Sequence, residues 1–260
     1  MSPKNATSLN EQPLAPSTDR CLAILEVLSR HPEGLTLSEF HRQLGVSKNM
    51  VFRILTDMAA RGYVYRDAEK TFYLGAKLLE LAAPRVHGRN LVDEAAPVVR
   101  ALRDECGESV GLLVPNGSEA VLIYFQPARH PMRMIFDLGY RLALYCNAPG
   151  KVFLAFGDEK ERQRRMKLQS FQKQTAQTIT SRARLETELE QARQVGYTTD
   201  RGEDIEGAHC VAAPVFDRER QLVAALVIAG PSQRMTARAM TGLGQKAVAA
   251  AAALNARLAI

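Results

Sequence analysis

Lys48, Asn49 and Arg53, in the stretch LGVSKNMVFRIL, combine side chains suited to reading DNA at a spacing that puts them on one helix face. Lysine binds phosphate or guanine, asparagine pairs bidentately with adenine, and arginine takes guanine or phosphate. Phe52 and Thr56 share that face, while Val51, Ile54, Leu55 and Met58 form an apolar stripe opposite it. From Arg42 to Arg66 there are five basic residues against one acid, Asp57, a local charge of +4. A solvated helix also shows charge on its outer face. The sequence pattern therefore leaves two readings open: sequence-specific DNA binding, or a metabolite-binding module whose helices only pack.

The elements that must hold this face can be read on either side of it. Cys21, Ile24, Leu25 and Leu28 recur at helical spacing over residues 20–30, and the turn HPEG ends that helix. A second helix is expected over about residues 38–44, with Ser38 as its N-cap. Gly45 supplies the left-handed turn, because that backbone angle is cheap only without a Cβ. Ser47 then caps a third helix over residues 48–61, which Gly62 ends. Two helices joined by a short glycine turn form a helix-turn-helix, whose second helix enters the major groove. The following YVYRDAEKTFYL has the period and composition of a β-hairpin. Its tip would offer Arg66 and Lys70 to DNA, beside Asp67 and Glu69. Residues 78–83 read as a helical connector and 85–90 as a polar break. A helix follows over 91–106, with Pro97 in its first turns or kinking it.

The second half alternates strands with helices. SVGLLV and AVLIYF flank Asn116-Gly117, a hairpin signal. MRMIF (132–136), YTTD (197–200), CVAAPVF (210–216) and LVAALVIAG (222–230) are further strand candidates. KVFLAF reads as a buried helix, 159–168 and 182–195 as amphipathic helices, and the alanine-rich stretch after Thr236 as a long one. The fold class is α+β. The 260 residues suit one large or two modest domains at about 100–200 residues each. The formal charge is +6, which admits a nucleic-acid partner without requiring one. Cys21, Cys106, Cys146 and Cys210 are scattered without a CxxC pair, the pattern of reduced thiols in a cytoplasmic protein. Residues 1–18 are polar, lack the apolar run of a signal peptide, and are expected to be a disordered lead. The longest apolar runs, 222–229 and 247–254, have eight residues each, against about 20 for a membrane helix. No membrane partner is expected.

Catalysis and metal binding find little support. His209 and Cys210 are neighbours, so on a strand they point to opposite faces, and no HxxxH, HExxH or CxxC pattern accompanies them. GAHCVAAP lacks a glycine elbow or a recognisable base. DRGEDIEG carries Glu203, Asp204 and Glu206, which rules it out as a phosphate cradle. No catalytic residue, metal ligand or cofactor is assigned.

The sequence resembles the IclR family of bacterial transcriptional regulators. The resemblance rests on GLTLSEFHRQLGVSKNMVFRILTDMAARGYVYRD, YLGAKLLELA, GYRLALYCNAPGKVFLAF, ARQVGYTTDRGEDIEGAHCVAAPVFD and LVAALVIAGPSQRMT, in that order, from about Asp19 to the C-terminus. It implies a winged helix-turn-helix domain (19–83), a linker and first helix (84–106), and a GAF-like effector-binding domain (107–260). It also implies operator DNA as a partner, a small-molecule effector, and a homodimer or dimer of dimers acting as repressor or activator. The DNA-contacting residues would be Ser47, Lys48, Asn49, Phe52, Arg53, Arg66 and Lys70. Family recognition helices often run Pro-Lys-Ser-Thr with a His before the Arg. Here Ser47, Lys48, Asn49 and Met50, with Phe52 before Arg53, imply a different operator, and the turn DAEKT is one residue short. The effector pocket would take Asn147, Ala148, Pro149 and Gly150 at a helix N-terminus, with Asp200, Cys210, Val227 and Ala229. A helix start favours an anion such as a carboxylate. Relatives that take small polar acids often have serines where Val227 and Ala229 stand, which points to a more apolar effector. Tyr124, Met134 and Leu144 are further wall candidates.

Overall fold

The computed structural model describes residues 13–259. The chain divides between Ala83 and Pro84 into two compact units.

The first unit contains helices α1 (Pro16–Ser29), α2 (Leu37–Leu44) and α3 (Lys48–Ala60), strands β1 (Val64–Arg66) and β2 (Phe72–Leu74), and helix α4 (Lys77–Ala82). Helix α1 begins at Pro16, so the expectation of a disordered lead to residue 18 is corrected for its last three residues; residues 1–12 lie outside the described chain. Proline suits a first helical turn, where its missing N–H has no partner to lose. The cap of α2 is Thr36 and not Ser38. Thr36 Oγ1 accepts the Glu39 N–H while the Glu39 carboxylate accepts the Thr36 N–H at 2.8 Å, a reciprocal capping box. Ile24, Phe40, Val51 and Leu55 are fully enclosed at the centre of this unit. The β1–β2 hairpin pairs Val64 with Leu74, and Leu35 bridges to Phe72, so the hairpin is stitched to the helices. Helix α4 buries none of its residues, and Leu79 and Leu81 are exposed.

The second unit opens with a short ribbon, β3 (Arg85–Val86) and β4 (Arg89–Asn90), and helix α5 (Leu91–Cys106). Pro97 lies inside α5, beyond its first turn, where it forgoes one helical hydrogen bond. Next come β5 (Ser109–Asn116), β6 (Glu119–Gln126), β7 (Arg141–Ala143), α6 (Ala148–Ala155), α7 (Glu159–Lys167), α8 (Arg182–Val195), β8 (Thr198–Arg201), β9 (Ala208–Phe216), β10 (Leu222–Pro231) and α9 (Ala237–Leu258). The six strands form one antiparallel sheet in the order β7-β6-β5-β10-β9-β8.

Alternation along the strands divides the side chains between two faces. Leu112, Val211, Ala213, Leu226 and Ile228 meet α5 and α9 on one face. Leu113, Ala212, Ala225 and Val227 meet the buried α6 and α8 on the other. The expected strand at 132–136 does not form; the sheet edge is 141–143 instead. Residues 132 and 134 are held by side chains, Ser109 Oγ donating to the Met134 carbonyl at 2.9 Å and Arg234 to that of Met132 at 3.1 Å, whereas Gly139 and Tyr140 make backbone hydrogen bonds with Leu122 on β6. The β5–β6 turn is centred on Gly117-Ser118, one residue later than expected, with Gly117 at φ +62°.

Candidate recognition helix and ligand cavity

The start of α3 is fixed by three local features. Gly45 adopts φ +68° and donates its N–H to the His41 carbonyl at 3.0 Å, closing α2. His41 Nδ1 lies 2.7 Å from the Val46 carbonyl oxygen, pinning the turn. Ser47 Oγ accepts the Met50 N–H and caps α3. With Val51, Leu55 and Met58 buried, Lys48, Asn49, Phe52, Arg53 and Thr56 are left exposed on the opposite side. Among the described residues, neither Lys48 nor Arg53 has an acidic partner within 4 Å, so both cations are available. Phe52 is 45% exposed, an apolar ring on an otherwise polar face, of the kind that packs against a thymine methyl.

The two cations of the hairpin are held differently. The Arg66 guanidinium lies 5.2 Å from the Phe72 ring centroid, and Lys70 sits exposed in the turn at φ +67°. Asp67 is spent on the turn, accepting the Thr71 N–H at 2.8 Å and the Tyr73 hydroxyl at 3.0 Å.

In the second unit, Asn147, Pro149, Asp200, Cys210, Val227 and Ala229 line one cavity of about 50 Å³, room for a few waters or a ligand of a few heavy atoms. Ala148 and Gly150 do not line it. Ala148 is buried with its carbonyl accepting the Thr198 hydroxyl at 2.7 Å. Gly150 is a packing glycine, since a Cβ there would stand 2.5 Å from Leu144 Cα. The wall candidates Tyr124, Met134 and Leu144 also lie elsewhere. Tyr124 faces the α5–α9 side, where its hydroxyl accepts from Arg100. Met134 contributes its carbonyl to Ser109, and Leu144 is sealed against Gly150. The apolar walls are Leu113, Leu122, Phe125, Phe136 and Leu142, with Tyr140 at the edge. Phe136 packs edge-on to Phe125 and tilted against Tyr140, at 5.8 and 5.1 Å.

The cavity's polar groups are two carboxyls, Asp200 and Asp204, with the Asn147 amide, the Tyr140 hydroxyl and the Cys210 thiol. The α6 N-terminus offers less than a bare helix end: Pro149 has no N–H, and the Gly150 N–H is taken by Asn147 Oδ1 at 2.8 Å. Asp200 accepts the Glu203 N–H at 2.7 Å, and Asp204 accepts the Cys146 thiol at 3.7 Å. Burial drives the Asp200 carboxyl up to about 8, so it is protonated at neutral pH and can donate a hydrogen bond. Burial likewise raises Asp204 and the thiols of Cys146 and Cys210, which are therefore inert as thiolates near neutrality.

Behind the cavity, Lys151 is fully enclosed. Its Nζ donates to Glu188 at 2.5 Å, Glu203 at 2.6 Å and the Thr199 carbonyl at 2.9 Å. Burial works against its charge, but the two carboxylates outweigh that and hold it protonated. No group of three or more metal-ligating side chains occurs among the described residues, and none of their helices is long and apolar enough to cross a membrane.

Asp204, Phe125, Phe136 and Tyr140 were not among the residues that the sequence nominated. Asp204 had a signal in the acidic run 203–206; the aromatics had none beyond hydrophobicity.

A winged helix-turn-helix followed by an antiparallel sheet enclosing a small cavity defines a ligand-responsive DNA-binding regulator. Residues 17–68 match the IclR helix-turn-helix domain, and residues 83–256 match the family described as bacterial transcriptional regulator IclR C-terminal. The chain belongs to the IclR family. It is 32% identical over 223 residues to the HTH-type transcriptional repressor AllR of Escherichia coli K12, covering 85% of this chain and 82% of the relative. Salmonella typhimurium AllR is 31% identical over the same shares. Among solved structures, the Thermotoga maritima IclR superposes with a TM-score of 0.79 at 27% identity, covering 94% of this chain and 99% of the other. An IclR homolog from Microbacterium hydrocarbonoxydans, complexed with 4-hydroxybenzoate, shares the fold with a TM-score of 0.75 at 20% identity over 93% of this chain and 98% of the other.

Proposed function

We propose that this chain is a cytoplasmic regulator of a metabolic operon that reads its operator through Asn49 and Arg53. In this reading, Lys48, Ser47 and the hairpin residues Arg66 and Lys70 bind phosphates, and Phe52 packs on a base. Residues 19–83 form the DNA-binding domain, 84–106 transmit the signal, and 107–260 take the effector. The observation that carries the reading is the exposed face of α3, with two unpaired cations, an amide and a ring presented beyond a capped N-terminus. The repressors among its relatives favour repression.

The effector is a small carboxylic acid with an apolar part. Its carboxylate accepts a hydrogen bond from protonated Asp200, and its apolar part lies against Phe125 and Phe136. A body larger than the present cavity has to displace Phe136 and Tyr140, both on the segment between β6 and β7. Two chains pair through their first units, with the exposed Leu79 and Leu81 of α4 in the contact, and recognition helices meet half-sites about 10 base pairs apart or a multiple of that. The effector acts by binding the DNA-competent and DNA-incompetent states unequally.

Fluorescence anisotropy with the DNA upstream of the protein's own gene tests this. Asn49→Ala and Arg53→Ala are expected to weaken binding there by about 1–3 kcal/mol each while leaving binding to random DNA unchanged. Equal, weak binding of wild type and variants to both DNAs defeats the reading and favours a metabolite-binding module without sequence readout.

A further inference from the structure

We infer that the outward face of α7, with the segment leading to α8, is a second DNA-binding surface that holds the phosphodiester backbone without regard to sequence. The inference rests on DNA binding through α3 and goes beyond it.

The charge distribution leads there. Residues 1–83 hold ten Lys or Arg and nine Asp or Glu, so the DNA-reading unit nets only +1 of the chain's +6. Residues 162–185 hold seven Lys or Arg and no acid. Counting the flanking acids as well, residues 158–186 net +4. The acid-free stretch with the most basic residues therefore stands outside the helix-turn-helix.

Geometry places it outward. Lys160, Gln163, Arg164 and Lys167 follow one another at spacings of three, one and three residues, which puts them on one side of α7, and all four are exposed. Arg162 pairs with Glu159, and Arg164 with Glu161. Lys160, Lys167, Lys173 and Arg184 have no acidic partner within 4 Å among the described residues. Between them lie the exposed amides of Gln172 and Gln177, a side-chain type that hydrogen-bonds phosphate and sugar. Leu168 is the only exposed large apolar side chain described in this region. A protein partner needs an apolar centre to its interface, whereas DNA needs cations and amides.

The test is a salt series on operator DNA and on random DNA of the same length, using the full chain. One variant carries Lys160→Gln, Lys167→Gln and Lys173→Gln. A control carries Arg201→Gln, Arg220→Gln and Arg238→Gln, which removes the same charge from exposed, unpaired positions elsewhere. Each phosphate that is no longer neutralised lowers the slope of log K against log salt by about 0.9, so the slope of the first variant is expected to fall by about 2–3 on both DNAs. Its preference for operator over random DNA stays as in wild type, unlike that of Asn49→Ala. The control moves the slope by much less. Equal slopes for the two variants overturn the inference and leave the face to an acidic protein. A selective weakening on operator DNA also overturns it, since backbone binding carries no sequence preference.

Discussion

The exposed face of α3 and the cavity of the second unit are both candidate recognition sites, built by opposite means. The α3 face consists of five positions within nine residues of one helix, all turned to water, with cations that pair with no acid among the described residues. The cavity draws on residues 113–229, is lined by two carboxyls and no cation, and has its nearest lysine consumed by Glu188 and Glu203. An exposed site keeps its charges cheaply because water solvates them until DNA displaces it. A buried site has to neutralise its charges in advance, by pairing Lys151 and by protonating Asp200. The first suits a polyanion; the second suits a small molecule that accepts a hydrogen bond from a neutral carboxyl.

Lys151→Ala tests the buried half of this contrast most severely. It strands Glu203, 7% exposed, beside Glu188 and is expected to cost about 3–5 kcal/mol in the second unit. Urea denaturation followed by probes in each unit checks it; an undiminished second unit would mean the buried charges need no pairing. Next in size is the pH dependence of Asp200. Its folded carboxyl titrates near 8, above its unfolded value, so the unfolded chain ionises first. Stability should therefore fall as pH rises from about 4 and level off above about 8, at most about 1.4 kcal/mol per unit from this group. Asp200→Asn should flatten that fall without abolishing it, since Glu203 and Asp204 are raised too. Carboxylate effector affinity should weaken above pH 8, measured by calorimetry; an unchanged affinity at pH 9 would remove Asp200 as the donor. The smallest effect probes the exposed site's scaffold. Thr36→Ala opens the capping box of α2 and is expected to cost about 1 kcal/mol in the first unit, read by thermal denaturation, with operator preference intact.

The two sites also differed in how far the sequence exposed them. Helical period and caps are local, so the α3 face, Gly45 and Ser47 could be read directly. Six of the eight expected pocket positions converge on one cavity, although the resemblance and not the spacing nominated them. What stayed hidden depends on distant partners. MRMIF has strand composition, yet Ser109 and Arg234 bind its carbonyls, so no ladder forms there. Lys151 sits in an apolar helix, and its charge makes sense only once Glu188 and Glu203 fold against it from 37 and 52 residues away. Ser38 lost the cap to Thr36 because only Thr36 stands three residues before a glutamate.

The enclosed lysine also constrains the order in which this protein can change over generations. Losing Lys151 first strands two acids, and losing Glu203 first leaves the enclosed cation with only the peripheral one. Glu188, 30% exposed, is the member that water can replace. A lineage that abandons this triad has its easiest first step at Glu188, on the outer helix, well before the residue beside the cavity can drift.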